Sequence, residues 1–364
     1  MADMANLLQQ QILSARADAR KLNIIGGNSK AFMGRVASGE PLRVAGHSGI
    51  VSYQPVELVL TARAGTPLTE LVAALDEQHQ MLSFEPPGFG GGATIGGTLA
   101  CNQSGPGRPW WSSVRDQVLG VRLLNGRGEH LRFGGQVMKN VAGYDVSRLQ
   151  AGAMGSLGLI TEVSLKVLPK PAVTRTLVFD VALQDAVALM NRRAAEPKPL
   201  SAACWLDNRL YLRLSGARAA VDATLSQWQG QHSGSPLSGS QGRLLEDDES
   251  FWAALRDQTL AFFEGEAPLW RFSIKSTAVN PDLPGNWLID WGGAQRWYRG
   301  AASMAQMQQL AEAAGGQVSL FRGGDRQADV MHPQARALQL LQQRLKQSFD
   351  PDGVFNPGRL YSWM

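Results

Sequence analysis

Apolar positions recur at helical spacing over Met1 to Lys21, and Leu7, Leu8, Ile12 and Leu13 predict an amphipathic helix there. Leu22-Asn-Ile-Ile25 then reads as a short buried strand that ends on Gly26-Gly-Asn-Ser-Lys30, a turn whose backbone can bind an anion. Leu42–Val44, Ile50–Tyr53 and Glu57–Arg63 predict three further strands, and Pro67 and Thr69 open a helix that runs to Gln78. Val114–Leu124 and His130–Phe133 flank Asn125-Gly-Arg-Gly128, the pattern of a strand, a tight turn and a returning strand. Asp145 is expected to cap a helix through Leu149, and Leu159–Val167 alternates as a strand until Pro169 and Pro171 stop it.

A new pattern begins after these prolines. Leu177–Val181 reads as a strand, Leu183–Ala194 as a helix, Cys204-Trp205 and Leu210–Leu214 as a hairpin, and Ala217–Trp228 as a helix. The segment from His232 to Gln241, rich in Ser and Gly, is expected to be a surface loop. Trp270–Lys275, Trp287–Trp291 and Arg296–Tyr298 supply more strands, and Met304–Ala314 a helix. The last helix, Ala335–Gln347, carries Leu338, Leu341 and Leu345 on one side and leads into a turn-rich tail, Phe349 to Leu360. The expected organisation is therefore α+β, with one domain over residues 1–170, a smaller α+β sandwich over 171–330, and a C-terminal helix and tail over 331–364.

Composition narrows the class. With 44% apolar and 18% charged residues in 364, the chain is of globular type and long enough for two domains. The net charge of +4 is spread along the chain, so no nucleic-acid footprint is expected. Cys101 and Cys204 lack Cys-x-x-Cys spacing, which excludes an iron–sulfur cluster or structural zinc carried by this chain alone. The N-terminus has no signal-peptide apolar core and no run reaches membrane-spanning length, so a cytoplasmic protein is expected, with peripheral attachment to a membrane through partners left open.

The densest chemistry lies between Glu85 and Pro169, where Pro86-Pro87 leads into Gly88-Phe-Gly-Gly-Gly-Ala-Thr-Ile-Gly-Gly97 and the segment closes on Gly155-Ser-Leu-Gly-Leu-Ile-Thr161. Glycines at this density let backbone approach a diphosphate. Gly88-x-Gly90-x-x-Ala93 satisfies the Rossmann fingerprint, with Asp116 near the distance of a ribose-binding acid, but prolines stand where the fingerprint needs a strand. Gly27-Asn-Ser-Lys30 lacks the upstream glycine and the following Ser or Thr of a phosphate-binding Walker loop. Two separated glycine segments, each joined to strands, instead suit a diphosphate clamped from both sides, as in flavoproteins.

At these residues the chain resembles a known family. Ile24–Lys30, Ala93-Thr-Ile-Gly-Gly97 with Asn102, Lys139–Asp145, Gly155–Thr161 and the tail Gly353-Val-Phe-Asn-Pro-Gly358 resemble the FAD-linked oxidases, whose FAD domain is named after para-cresol methylhydroxylase (PCMH) and vanillyl-alcohol oxidase. Within them, Val137–Tyr144 and Leu288-Ile-Asp-Trp-Gly-Gly293 are most similar to the smaller FAD-binding subunits of bacterial glycolate oxidases. The resemblance implies a PCMH-type FAD domain of two subdomains with a smaller cap domain. It puts Gly26, Gly27, Asn28, Ser29 and Lys30 at the FAD diphosphate and Thr94, Ile95, Gly96 and Gly97 on its other side. Gly155 and Gly158 belong to the same motif set, Ile160 would approach the adenine end, and Asn356 would return the tail to this domain. Asn28-Ser29 stand where some relatives attach FAD through His or Cys, so the FAD is expected to be non-covalent. Ala153-Met154-Gly155 replaces the Ser-Glu-Gly of many relatives, removing one carboxylate.

The resemblance further implies a glycolate-oxidising complex in which a larger FAD-binding catalytic subunit and an iron–sulfur subunit are the partners and a quinone-type carrier is the acceptor. Oxidising a small hydroxy acid needs a base, a cation for the carboxylate and a hydride acceptor. Arg271, Arg296 and Arg322 are the candidate cations. His47, His79, His130, His232 and His332 stand singly, no metal-binding cluster is expected, and no catalytic base is assigned. Two alternatives stay open: a flavin subunit serving structure or electron transfer, and a free-standing FAD dehydrogenase of another 2-hydroxy acid.

Overall fold

The computed structural model describes residues 3–135, 144–230 and 242–364. Most of the Lys139–Asp145 motif, all of Val137–Tyr144 but Tyr144 itself, and the expected loop from His232 to Gln241 lie outside the described residues. The chain divides into two compact units. One comprises Met1–Ser104, Ser112–Pro169 and Asp325–Met364, and the other Gly105–Trp111 and Lys170–Gly324.

In the first unit the strand Leu22–Ile25 pairs in parallel with Glu40–Arg43, and its other edge bridges to Phe355 of the tail. A five-stranded sheet follows in the order Ile50–Gln54, Val59–Arg63, Leu159–Lys166, Val118–Leu124 and His130–Gly134, with antiparallel neighbours throughout. The helix Leu68–Asp76 buries Leu71 and Leu75 in the same core as Leu60, Leu123 and Leu165. The N-terminal helix is Ala5–Ala17 and buries Leu8, Ile12 and Ala15, while Leu7 and Leu13 are exposed. At 3.6 residues per turn positions 8, 12 and 15 form one stripe and 7 and 13 fall to its flanks.

The expected strand from Val114 starts four residues late. Ser113 and Asp116 form a reciprocal capping box, with the Ser113 N–H donating to Asp116 Oδ2 at 3.0 Å, which winds Val114–Gln117 into a helical turn. Asp116 is thereby spent as a cap. The hairpin after it is built by Asn125, whose Oδ1 accepts from the N–H groups of Arg127 at 3.0 Å and Glu129 at 2.9 Å. Asp145 caps the turn Val146–Leu149, as expected.

The second unit is an eight-stranded antiparallel sheet with helices packed on it. Its strands lie in the order Arg243–Leu244, Val173–Asp180, Arg209–Gly216, Leu200–Leu206, Trp287–Asp290, Gln295–Arg299, Leu269–Ser273 and Gln317–Arg322. The helices Leu183–Ala194 and Met304–Ala313 match the sequence pattern closely. Several elements escape that pattern, two of them long ones. Asp248–Asp257 is a helix capped by Asp247 through the Ser250 N–H, and Gln317–Arg322 is a strand. Most of the tryptophans, among them Trp228, Trp270, Trp287 and Trp297, pack into this unit's core.

The C-terminal helix, Arg336–Phe349, departs from its expected role. Leu338 and Leu341 are about half exposed, and Lys346 is the residue it buries. The reason is a polar anchor: Lys346 Nζ donates to the carbonyls of Ser156 and Phe355, both at 2.8 Å, and pairs with Asp350 Oδ2 at 2.6 Å. The helix is oriented by that ammonium and not by its leucines.

Candidate functional site

A cavity of about 360 Å³ opens in the first unit at the end of the strand Leu22–Ile25. Its wall includes Gly26, Gly27, Asn28, Ser29 and Lys30, then Thr94, Gly96 and Gly97, then Gly155, Gly158, Ile160 and Asn356. Of the residues singled out from the sequence for this region, Ile95 alone is absent from the wall. Its side chain is fully buried in the core and its N–H donates to Thr66 O, because Thr94 caps a helix, Ile95–Ala100, whose first residue turns inward.

Close packing of backbone shapes the cradle. A Cβ on Gly27 would overlap the Gly92 carbonyl oxygen, and one on Gly26 would come within 2.7 Å of Thr94 Oγ1. The two glycine segments thus touch, and side chains on either would hold them apart. The N–H groups of Gly27, Asn28, Ser29 and Lys30 donate to no acceptor among the described residues, and Asn28 has a left-handed φ of 61°. Successive N–H groups released in this way form an anion-binding nest. The run Gly90–Gly92, by contrast, is an exposed turn outside the wall, so the Rossmann-like spacing has no ligand-binding counterpart.

The tail completes the wall. Asn356 Oδ1 accepts from the Ile24 N–H at 2.8 Å and its Nδ2 donates to Met154 O at 2.6 Å, so one amide ties the first strand to the turn before Gly155. Gly155 sits at φ +72°, and a Cβ there would press within 2.7 Å of Asn356 Nδ2.

The ionisable groups on the wall are Lys30, Arg35, Arg326, Arg359 and the Cys101 thiol, and no Asp or Glu lines it. Lys30 is nearly fully buried, its Nζ 3.3 Å from Ser29 Oγ and 5.8 Å from the Phe89 ring centroid. Burial pulls its pKa below the ordinary 10.5. Burial, with repulsion from Arg359, pulls Arg326 down to about 10, and burial raises the Cys101 thiol. The arginines interlock through backbone. Arg35 donates to Ala328 O at 3.2 Å and Gly358 O at 3.1 Å, Arg359 to Ala31 O at 2.8 Å and to Arg35 O, and Arg326 to Gly34 O. None of these three arginines stood out in the sequence. Only the position of Arg359, directly after Asn356-Pro-Gly358, could have flagged one of them. A cavity with a backbone nest, four cations and no carboxylate is suited to an elongated, diphosphate-bearing ligand.

The candidate substrate arginines lie in the second unit. Arg296 is fully buried, and its guanidinium donates to Gly293 O at 3.1 Å, Asn280 Oδ1 at 3.1 Å and Ala278 O at 2.5 Å. Three of its five N–H donors are thereby engaged in fastening a loop. Arg322 donates to Gln258 Oε1 at 2.8 Å, and Arg271 lies over the Phe321 ring at 5.3 Å. Among the histidines, His47 is buried and accepts from the Met4 N–H, while His130 Nε2 bonds Thr161 Oγ1 at 2.9 Å. Neither lines the cavity, nor do His79 and His332. His232 lies outside the described residues.

A family model described as an FAD binding domain matches residues 5–134. The chain is 46% identical to glycolate oxidase subunit GlcE of Escherichia coli (strain K12) over 360 residues, covering 99% of the chain and 98% of that relative. Over 139 residues it is 31% identical to glycolate oxidase subunit GlcD of Bacillus subtilis (strain 168), covering 38% of the chain and 29% of that protein. Among solved structures, an alkyldihydroxyacetonephosphate synthase shares the fold with a TM-score of 0.64 at 15% identity, over 96% of this chain and 75% of the other.

Proposed function

The chain belongs to the family of glycolate oxidase subunit GlcE among the FAD-linked oxidases and binds FAD, and from that premise we propose that it is the FAD-holding subunit of a complex that oxidises glycolate to glyoxylate. The full-length likeness to a glycolate oxidase subunit carries this reading, and the cavity supports it. FAD supplies the two-electron acceptor that the oxidation of a hydroxy acid requires. In this reading the N–H groups of Gly27–Lys30 hold the diphosphate, Thr94, Gly96 and Gly97 close on its other side, Gly155 and Gly158 let backbone approach, and Ile160 meets the adenine end. Asn356 fixes the wall by joining its first strand to the turn before Gly155. The partners are a larger FAD-binding catalytic subunit and an iron–sulfur subunit, which pass electrons to a quinone-type acceptor. With Cys101 and Cys204 as its cysteines, this chain leaves cluster ligation to the partner.

Two experiments test this reading. Acid precipitation of the purified chain should give a yellow supernatant, since Asn28 and Ser29 offer no attachment atom for covalent flavin; a colourless protein overturns the assignment. Glycolate oxidation by the reconstituted complex should need the FAD-loaded chain, and an unchanged rate without it would reject the subunit role.

Lys30 gives a prediction with opposite signs for two observables. Because burial lowers its folded pKa, the folded apo chain binds fewer protons than the unfolded chain at pH values between that lowered pKa and 10.5. This group's contribution therefore makes the apo chain more stable as pH rises through that window. Lys30→Met removes a buried charge with no carboxylate partner, so the apo chain should melt several degrees higher. The same change removes a cation from the diphosphate and should weaken FAD binding roughly ten- to hundredfold. Calorimetry of the apo chain and flavin titration check the two signs separately, and a lowered apo Tm would refute the first.

A further inference from the structure

The helix Arg336–Phe349 turns its leucines outward. Leu338, Leu340 and Leu341 are 48%, 40% and 53% exposed, because Lys346 and its acceptors face the other way. At about 100° per residue the order around the outer face is Leu340, Arg344, Leu341, Leu345 and Leu338, an arc opposite Lys346. Apolar side chains gathered on one solvent-facing arc mark a surface that meets a partner.

The charge on this face is equally unmatched. No Asp or Glu occurs between Val330 and Phe349, and both Arg336 and Arg344 are exposed. Neither forms an ion pair among the described residues. Arginines elsewhere on the same unit do so, Arg16 with Asp352 at 2.6 Å, Arg20 with Glu40 at 2.5 Å and Arg122 with Glu162 at 3.3 Å.

The arrangement discriminates between occupants. A second copy of the chain meeting this face by two-fold symmetry would set arginine against arginine. A lipid surface takes a helix whose apolar stripe is continuous and whose cations lie on the polar face, but Arg344 lies between Leu340 and Leu341. A protein groove with carboxylates placed among apolar side chains matches both the leucines and the cations.

We propose that the outer face of this helix, from Arg336 to Leu345, docks the iron–sulfur subunit through an apolar groove with carboxylates opposite Arg336 and Arg344. The proposal rests on the subunit reading for the existence of that partner. Position favours it over the larger flavin subunit. Leu341 lies about 8 Å along the helix axis from Lys346, whose ammonium holds Ser156 and Phe355 beside the wall residues Gly155 and Asn356. A subunit that takes electrons from the flavin docks close to the cavity, and this face is backed by the cavity wall.

The test titrates the full FAD-loaded chain with the separately purified iron–sulfur subunit, read by calorimetry and by hydrogen exchange. Residues 336–345 should gain protection with that subunit and none with the larger flavin subunit. Leu338→Glu combined with Leu341→Glu keeps helix propensity and adds charge that an acidic groove repels, so affinity should fall at least about a hundredfold with flavin content retained. Arg344→Glu should weaken binding about tenfold, and the affinity of the parent chain should decline as salt rises. Leu7→Glu, similarly exposed on the N-terminal helix, should leave the affinity unchanged. If the double variant does not fold, Arg344→Glu and the exchange pattern of the unaltered chain decide the matter. Unchanged affinity in the folded double variant, protection by the larger subunit instead, dimerisation through this face, or co-sedimentation with phosphatidylglycerol vesicles that the double variant abolishes each overturns the proposal. A chain that assembles without this face loses the docking site alone, whereas a chain that binds neither partner loses the subunit reading.

Discussion

Gly27→Ala is expected to abolish FAD retention while the rest of the chain still folds. The added methyl would overlap the Gly92 carbonyl oxygen, which belongs to backbone and cannot rotate away as a side chain would. Relief requires the turn Gly26–Lys30 to withdraw from the segment ahead of Thr94, and this misdirects several N–H donors at once. At about 1.5–3 kcal/mol for each hydrogen bond to a charged group, the loss of two weakens binding at least about a hundredfold. Gly90→Ala and Gly91→Ala are the informative contrast. A Cβ at either position meets nothing within 4 Å, and their φ values of +85° and +91° cost an alanine about 1–2 kcal/mol of strain. Both variants should keep their flavin, read as the ratio of visible to ultraviolet absorbance. A Gly27→Ala protein that purifies yellow would show that the two glycine segments do not form a clamp.

Lys346→Met is the second large effect and acts on stability. Lys346 and Asp350 form an ion pair that is almost entirely buried, and Asp350 also accepts from the N–H groups of Val354 and Phe355. Removing the ammonium strands the carboxylate and leaves the Ser156 and Phe355 carbonyls without this donor, a class of change that costs about 3–5 kcal/mol. Tm should fall by on the order of 5–10 °C. Adding Asp350→Asn to the Lys346→Met chain should recover part of the loss, because the amide removes the uncompensated charge. No recovery would mean that the carbonyl contacts, and not the charge, dominate. Ser156 is the neighbour of Gly155, so the anchor also holds the tail against the cavity wall, and Lys346→Met should release FAD faster than the parent chain does.

Much of the site was readable from local sequence. The turn after Leu22–Ile25, the helix start at Thr94, the Gly155 turn and Asn356 all occupy the cavity wall, because each is specified by residues that few other conformations would need. Ile95 does not reach the cavity wall, because a glycine-rich run disguises the start of a helix that turns this side chain inward. The C-terminal helix shows the opposite error. Leu338 and Leu341 suggested a core-facing stripe, and one lysine with three buried acceptors settled its orientation instead.

The sequence by itself determined many of the strands and turns of the first unit and the cofactor class, since backbone conformation and close approach are written into Gly, Pro and Asn at particular positions. Tertiary structure alone decided which charges work together. Lys30, Arg326 and Arg359 meet at one cavity, and Arg296 holds a loop. A guanidinium carries the same formula in each case. Its role depends on whether an acceptor from elsewhere in the chain reaches it, and that distance exists only after folding.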